Sequence, residues 1–165
     1  MHPSHSIDPL QRLEHLNRIG IALSKERDTS KLLETILIAA KTLLHADGGT
    51  LYRLEENNQQ LRFEVLYNDS LRLYMGGVTG APIPFPPISL YDSTGQPNTS
   101  MVVTYAVLND TTVVIDDAYA EQNFDFSGTH HFDQQTGYRS RSFLTVPMKN
   151  HEEHIIGVFQ LIKCP

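Results

Sequence analysis

Cysteine is almost absent from this sequence, since Cys164 is the only one among 165 residues. One thiol cannot close a disulfide within the chain, and a chain of this length buries enough apolar surface to fold without one. The sequence also lacks an apolar run approaching 18 residues and lacks a charged and then apolar N-terminal segment that would direct secretion. We therefore expect a soluble protein of a reducing, cytoplasmic compartment with no membrane partner.

Basic residues are missing from the middle of the chain, because no Lys or Arg occurs between Arg72 and Arg139. Nucleic-acid binding draws most of its free energy from basic side chains that neutralise phosphates. A nucleic acid is therefore excluded as a partner of this region. The same region holds seven acidic residues within a chain of net charge −6: Asp92, Asp110, Asp116, Asp117, Glu121, Asp125 and Asp133.

Motifs for catalysis are also missing. The chain contains neither a Gly-rich phosphate loop ending in Lys and Ser or Thr nor a Gly-x-Ser-x-Gly elbow. His130, His131 and Asp133 form the most suggestive metal-ligating cluster, but adjacent histidines diverge and no third ligand has a convincing spacing. Cys164 has no basic neighbour in sequence to activate its thiol. The residues predict neither catalytic groups nor a metal site, and a ligand-binding or interaction domain remains.

Two helices open the chain. The first is marked by Asp8 as a cap and Pro9 in the first turn, and it ends near Arg27. Its apolar stripe is narrow, which favours pairing with the same helix of a second chain. The stripe comprises Leu10, Leu13, Leu16, Ile19 and Leu23. A second helix follows Asp28, has a wider apolar face suited to packing on a sheet, and is expected to stop at Gly48 and Gly49.

Strand patterns follow. Residues 50–55 and 60–67 predict an antiparallel hairpin whose second strand places Leu61, Phe63, Val65 and Tyr67 on one face. Glycines and prolines predict a loop over 68–87. The next elements expected are a short strand at 88–91, a helix capped at residue 98 or 99 and ending near 108, and a strand at 111–115. Irregular structure is expected over 116–138, with one or two helical turns around Phe132. The chain is expected to close with a hairpin of 142–149 and 155–163. This order predicts one α+β domain with a roughly six-stranded antiparallel sheet and the N-terminal helices on one face.

Four segments carry a resemblance to a known family. They are Ile115 to Tyr119 (IDDAY), Phe132 to Arg141 (FDQQTGYRSR), Val146 to Asn150 (VPMKN) and Ile156 to Val158 (IGV). In order and spacing they resemble a GAF domain, and more narrowly the cyclic-nucleotide-binding type of phosphodiesterases and of bacterial cyclase or HD-GYP signalling proteins. The resemblance implies a tail at 1–8 and a GAF domain at 9–163 whose ligand pocket lies on the sheet face opposite the N-terminal helices. The abrupt end of the last strand predicts an excised sensor domain whose output domain is missing.

The resemblance also implies a site. Asp133, Thr136, Ser140 and Thr129 match ligand-contacting positions near the Thr-Gly-aromatic motif. Val102 and Val103 match the helix start whose backbone amides approach the phosphate, which fits the lack of basic residues. Gln160 matches a contact on the last strand, and Thr50, Tyr67 and Asn68 are further strand positions that could meet the ligand.

The family's Asn-Lys-Phe-Asp-Glu signature is incomplete, because Asn123, Phe132 and Asp133 can be placed but no Lys can. The lid helix is therefore expected to be looser or held by other contacts. The resemblance implies a regulatory homodimer that requires no cofactor, performs no catalysis and senses cAMP or cGMP. The alternative is a ligand-free dimerisation and interaction module.

Overall fold

The structure is a computed structural model that describes residues 10, 11, 14, 29–55, 57 and 59–163. In chain order the elements are α1 (Thr29–Leu43), β1 (Gly48–Leu54), β2 (Gln60–Asn68), β3 (Leu73–Gly76), a 3-10 turn (Gly77–Thr79), β4 (Ile88–Ser89), α2 (Val102–Asn109), β5 (Val113–Ile115), α3 (Ser127–Thr136), β6 (Ser142–Lys149) and β7 (Ile155–Lys163). The first predicted helix falls largely outside the described residues. Only three of its residues are described, Leu10, Gln11 and Glu14, and they are helical and exposed. Within the described part of the chain, no helix is both long and apolar enough to cross a bilayer.

All seven strands join one antiparallel sheet. Their order is β3-β2-β1-β7-β6-β5, and β4 pairs with the start of β2. The chain packs α1 on one face of the sheet and α2 on the other, with an apolar core on each side. The predicted α+β class and antiparallel sheet are confirmed.

Helix α1 ends earlier than predicted. It stops at Leu43, and His45 takes the left-handed conformation, with φ of 52°, that terminates many helices. Gly48 and Gly49 do not stop the helix but open β1. A Cβ atom on Gly49 would lie 2.8 Å from the Leu37 side chain, so this glycine allows α1 to approach the sheet closely.

A bulge divides β2 into two halves. Leu51 lies opposite Val65 whereas the next residue, Tyr52, lies opposite Phe63, so Glu64 is an extra residue in β2. The prediction that four alternating residues of β2 share one face is therefore wrong. The two before the bulge pack in the α2 core, and the two after it pack in the α1 core.

The predicted loop over 68–87 contains the additional strand β3. Its residues pair with the end of β2, and the chain leaves the strand through Gly76 at φ of 72°. A Cβ atom there would lie 2.0 Å from the Glu64 carbonyl oxygen, so only glycine fits. The pairing depends on a distant strand, which explains why local composition did not predict it.

Helices α2 and α3 also differ from the prediction. Asn98 does not cap α2, because its side chain donates a hydrogen bond to the Ser89 carbonyl oxygen at 3.1 Å and closes the preceding loop. The N-cap is Met101, which provides no side-chain hydrogen bond. Region 116–138 contains the ten-residue helix α3 rather than one or two isolated turns, and Gly137 ends it at φ of 75°.

Candidate functional site

A row of polar side chains crosses the centre of the sheet on the α2 face. Gln160 of β7 lies directly opposite Thr145 of β6 on one side and opposite Thr50 of β1 on the other. The Gln160 Nε2 atom donates a hydrogen bond to Thr145 Oγ1 at 3.0 Å. Thr145 and Thr50 are buried, and Gln160 is half-buried. We call these three residues the polar row, and it gathers two of the predicted site residues.

The start of α2 lies over the same sheet face. Val102 and Val103 are both buried, and Val103 packs with Val158 of β7, two residues before Gln160. The first N–H groups of a helix have no intrahelical acceptor and form the positive end of its dipole. Because Met101 adds no side-chain cap, these amides are suited to an anionic acceptor, and the valine side chains themselves belong to the apolar cores.

Asp133 is the buried centre of a hydrogen-bond network at the end of α3. Its Oδ2 atom accepts hydrogen bonds from the Ser140 N–H at 2.8 Å and from the Tyr119 hydroxyl at 2.5 Å, and its Oδ1 atom accepts one from Ser140 Oγ at 2.7 Å. The structure thus brings together the predicted residues Asp133 and Ser140. Their bonds are made within the protein and hold α3 without the lysine of the family signature.

The two predicted threonines of α3 lie apart from this network. Thr136 is exposed, and its hydroxyl donates to the Phe132 carbonyl oxygen at 2.8 Å and accepts from the Tyr138 N–H at 3.3 Å. These are the contacts of a helix end. Thr129, on the first half of the helix, is half-buried.

Tyr67 and Asn68 do not join the polar row. Tyr67 belongs to the α1 core, and its hydroxyl donates to the buried carboxylate of Glu34 on α1. Tyr67 therefore lies on the sheet face opposite the polar row. Asn68 is buried, and its Oδ1 atom accepts a hydrogen bond from the Leu71 N–H at 3.0 Å, which closes the turn after β2.

An open cleft of about 360 Å³ lies between α3, the turn containing Tyr119, and residues 137–139. The imidazole of His130 stacks on the Tyr119 ring at 4.5 Å between centroids, and the Arg139 guanidinium carbon lies 4.5 Å from the same ring centroid. Asp133 forms part of the cleft wall. The hydrogen bond to Asp133 is the main cause that raises the pKa of Tyr119 above its ordinary value, so this phenol remains a donor at neutral pH.

Sequence reasoning missed Tyr119, Arg139 and Thr145 as site residues and considered His130 only as a metal ligand. Tyr119 and Arg139 lie inside the segments that carry the resemblance, but no spacing rule predicts that their side chains meet. Within the described residues, no three His, Cys, Asp or Glu side chains come together to hold an ion. Cys164 lies outside the described residues.

Comparison with known proteins places this geometry in context. The family model of the GAF domain matches residues 28–165. Among solved structures, the GAF domain from Acinetobacter phosphoenolpyruvate-protein phosphotransferase has a TM-score of 0.58 and 17% identity, over 93% of this chain and 77% of that chain. Free methionine-R-sulfoxide reductase from Neisseria meningitidis, in complex with its substrate, has a TM-score of 0.60 and 20% identity, over 99% and 79%.

A methyl-accepting chemotaxis protein, residues 122 to 287, is similar with a TM-score of 0.57 and 20% identity, over 87% of this chain and 77% of that chain. These identities establish a shared fold and carry no ligand or activity from one protein to another.

Proposed function

Because this chain belongs to the GAF family, whose fold generally serves regulatory sensing or interaction, we propose that it binds a cyclic mononucleotide and transmits the binding event to an output domain. The proposed ligand lies between the sheet and helices α2 and α3, on the face opposite α1. The observation that carries this proposal is the polar row, because it places hydrogen-bonding groups at the centre of an otherwise apolar sheet face.

The polar row and the start of α2 offer complementary chemistry. Only the Nε2 atom of Gln160 is engaged with Thr145, so the Gln160 amide oxygen remains an acceptor for a base N–H. The uncapped amides at Val102 and Val103 suit a phosphate of one negative charge. Neutral amides and a helix dipole thus replace the basic side chains that this region lacks.

Asp133 and Ser140 act in this proposal through the position of α3. All three hydrogen bonds of the Asp133 carboxylate go to protein donors. A ligand that accepted a hydrogen bond from one of these donors would break its bond to Asp133, and the new contact would have to be at least as favourable. We therefore assign the pair to holding the lid helix over the site, with Thr136 at the exposed end of that helix.

The remaining parts of the proposal follow from the regulatory role. The domain requires no cofactor and performs no catalysis, and it acts as a homodimer in the cytoplasm. Reduction of methionine sulfoxide is the activity of one structural neighbour. The lone Cys164 does not provide the several thiols that such chemistry uses in this fold.

The decisive measurement is calorimetry of the full chain with cAMP and with cGMP. A ligand of about 20 heavy atoms at about −0.3 kcal/mol per atom gives a dissociation constant on the order of 10 μM. Gln160→Leu should weaken binding about tenfold, whereas Gln96→Leu, at an exposed glutamine far from the polar row in sequence, should leave it unchanged. Any nucleotide carried through purification is identified by mass after denaturation. Absence of heat and of a thermal shift with either nucleotide at millimolar concentration would reject the proposal.

A second function, ligand-free dimerisation, is favoured by a specific observation. Large apolar side chains remain exposed on α1 and directly after it, on β5 and near the start of the chain: Ile38 (43%), Leu43 (36%), Leu44 (44%), Val114 (67%) and Leu10 (59%). Surfaces of this kind mark interaction sites.

Light scattering tests the dimer directly. The double variant Leu13→Glu, Leu16→Glu should become monomeric at tens of micromolar, because it puts charges on the apolar stripe of the first helix. The control Gln11→Glu, Asn17→Glu adds the same charge beside the stripe and should remain dimeric. A wild-type monomer at that concentration would rule out this function.

A further inference from the structure

The cleft beside α3 has a volume in the range of small-molecule sites, about 360 Å³. It differs from the polar row in its chemistry, because charged and aromatic side chains line it. The family resemblance implied a ligand contact for Asp133, which forms part of its wall, but it assigned no role to Tyr119, His130 or Arg139. The free and engaged hydrogen-bonding groups around it therefore decide what it can bind.

The two carboxylates at and beside the cleft, Asp133 and Asp117, already accept hydrogen bonds from the protein. Asp133 accepts the three hydrogen bonds described above, two of them from Ser140. Asp117, in the turn that carries Tyr119, accepts a hydrogen bond from the Tyr119 N–H at 2.9 Å through Oδ1. The hydrogen bonds satisfy these carboxylates without removing their charge, so a ligand that donates hydrogen bonds would have to displace donors of the protein.

Two nitrogen-containing side chains at the cleft, in contrast, form no hydrogen bond that the structure describes. His130 Nε2 is buried and has no hydrogen-bond partner. Arg139 forms no ion pair with the described carboxylates, and its contact is with the face of Tyr119. Arg139 is also the first basic residue after Arg72. A buried polar atom without a partner is rare in folded proteins and is satisfied when water or a ligand occupies the site.

We propose that this cleft binds the acidic group of a small organic anion through the Arg139 guanidinium and His130 Nε2, two groups that the Tyr119 ring holds beside the cleft. A guanidinium can bind a carboxylate or a phosphate through two parallel N–H groups, which an uncharged ligand cannot match. The inference involves neither the polar row nor the start of α2, and it shares with the cyclic-nucleotide proposal only helix α3, whose Asp133 forms part of the cleft wall.

The test uses the full chain and three ring compounds that differ in charge: benzoate, phenyl phosphate and benzyl alcohol. Imidazole nitrogen NMR signals report on His130, assigned through His130→Gln. Added benzoate or phenyl phosphate should shift the His130 signal until the shift saturates. The anion that binds with the lower dissociation constant identifies the acidic group that the cleft prefers. Benzyl alcohol should not shift it.

Two arginine variants make the test specific. Arg139→Gln should weaken anion binding at least about tenfold, since it removes a charge-assisted pair. Arg141→Gln removes the same charge from an exposed neighbour outside the cleft and should leave the affinity unchanged. Circular dichroism confirms that both variants are folded.

Equal weakening in the two variants, equal binding of benzyl alcohol, or the absence of saturation would overturn the inference. Calorimetry of Arg139→Gln with cAMP and cGMP separates the two proposals, because loss of anion binding at the cleft leaves nucleotide binding at the polar row intact.

Discussion

The Asp133→Ala substitution tests whether α3 is held by its buried hydrogen-bond network. Asp133 is 5% exposed and accepts hydrogen bonds from the Ser140 N–H, the Ser140 hydroxyl and the Tyr119 hydroxyl. Alanine removes both acceptor oxygens and therefore all three hydrogen bonds at once. The cost depends on what each donor finds afterwards.

The N–H and the hydroxyl of Ser140 account for most of the expected loss of stability. Ser140 is 1% exposed, so neither its N–H nor its hydroxyl reaches water, and each unsatisfied group costs about 1–3 kcal/mol. Tyr119 is 41% exposed, and its hydroxyl can turn to solvent at little cost. We expect a loss of about 4 kcal/mol in the free energy of unfolding, a large part of the roughly 5–15 kcal/mol that stabilises a typical domain.

Urea denaturation measures this loss, and Asp92→Ala provides the matched control. Asp92 also accepts three hydrogen bonds, from the Thr94 N–H, the Thr94 hydroxyl and the Gln96 N–H, but it is exposed. Water replaces the lost acceptor there, so the loss should be clearly smaller. If Asp133→Ala loses no more stability than Asp92→Ala, burial of the network is not what fixes α3.

Two further substitutions test local features. In thermal unfolding, Gly77→Ala should lower the melting temperature by more than Gly80→Ala. Both glycines have positive φ, but only at Gly77 would a Cβ atom meet a side chain, at 2.8 Å from the Glu34 carboxylate. Equal losses in the two variants would contradict this expectation. Ser127→Ala should raise the pKa of Asp125, which the Ser127 hydrogen bonds hold below its ordinary value. A lowered pKa stabilises the fold above the unfolded pKa, about 3.9, and this contribution disappears as the pH falls through the folded pKa. Carboxyl-carbon NMR measures the shift, and an unchanged pKa would refute it.

Local pattern was sufficient for much of the fold. The closing strands 142–149 and 155–163 were predicted with the observed bounds, because apolar residues alternate on both sides of a polar turn. The bulge at Glu64 and the strand β3 could not be predicted in the same way. Both depend on which residues of a partner strand lie opposite, and that is decided by the packing of two cores on one sheet.

The residues of the candidate site also fall into those that the sequence indicated and those that it did not. The sequence indicated Gln160 but not its neighbour Thr145, because strand bounds alone do not give the register: an irregularity between Met148 and Lys149 is what sets Thr145 opposite Gln160. Asp133 and Ser140 were also indicated. No periodicity predicts that the Tyr119 hydroxyl reaches Asp133, because that contact joins a loop to a helix through tertiary structure.

The alternation of strand side chains connects the proposed site to α1. In β7, Gln160 faces α2, and the next residue, Leu161, belongs to the α1 core with Leu37. In β1, Thr50 and Leu51 divide between the two faces in the same way. A ligand that moves the polar row therefore moves strands whose opposite face supports α1. No separate chain of contacts through the loops is needed for a binding event on one face to reach the helix on the other.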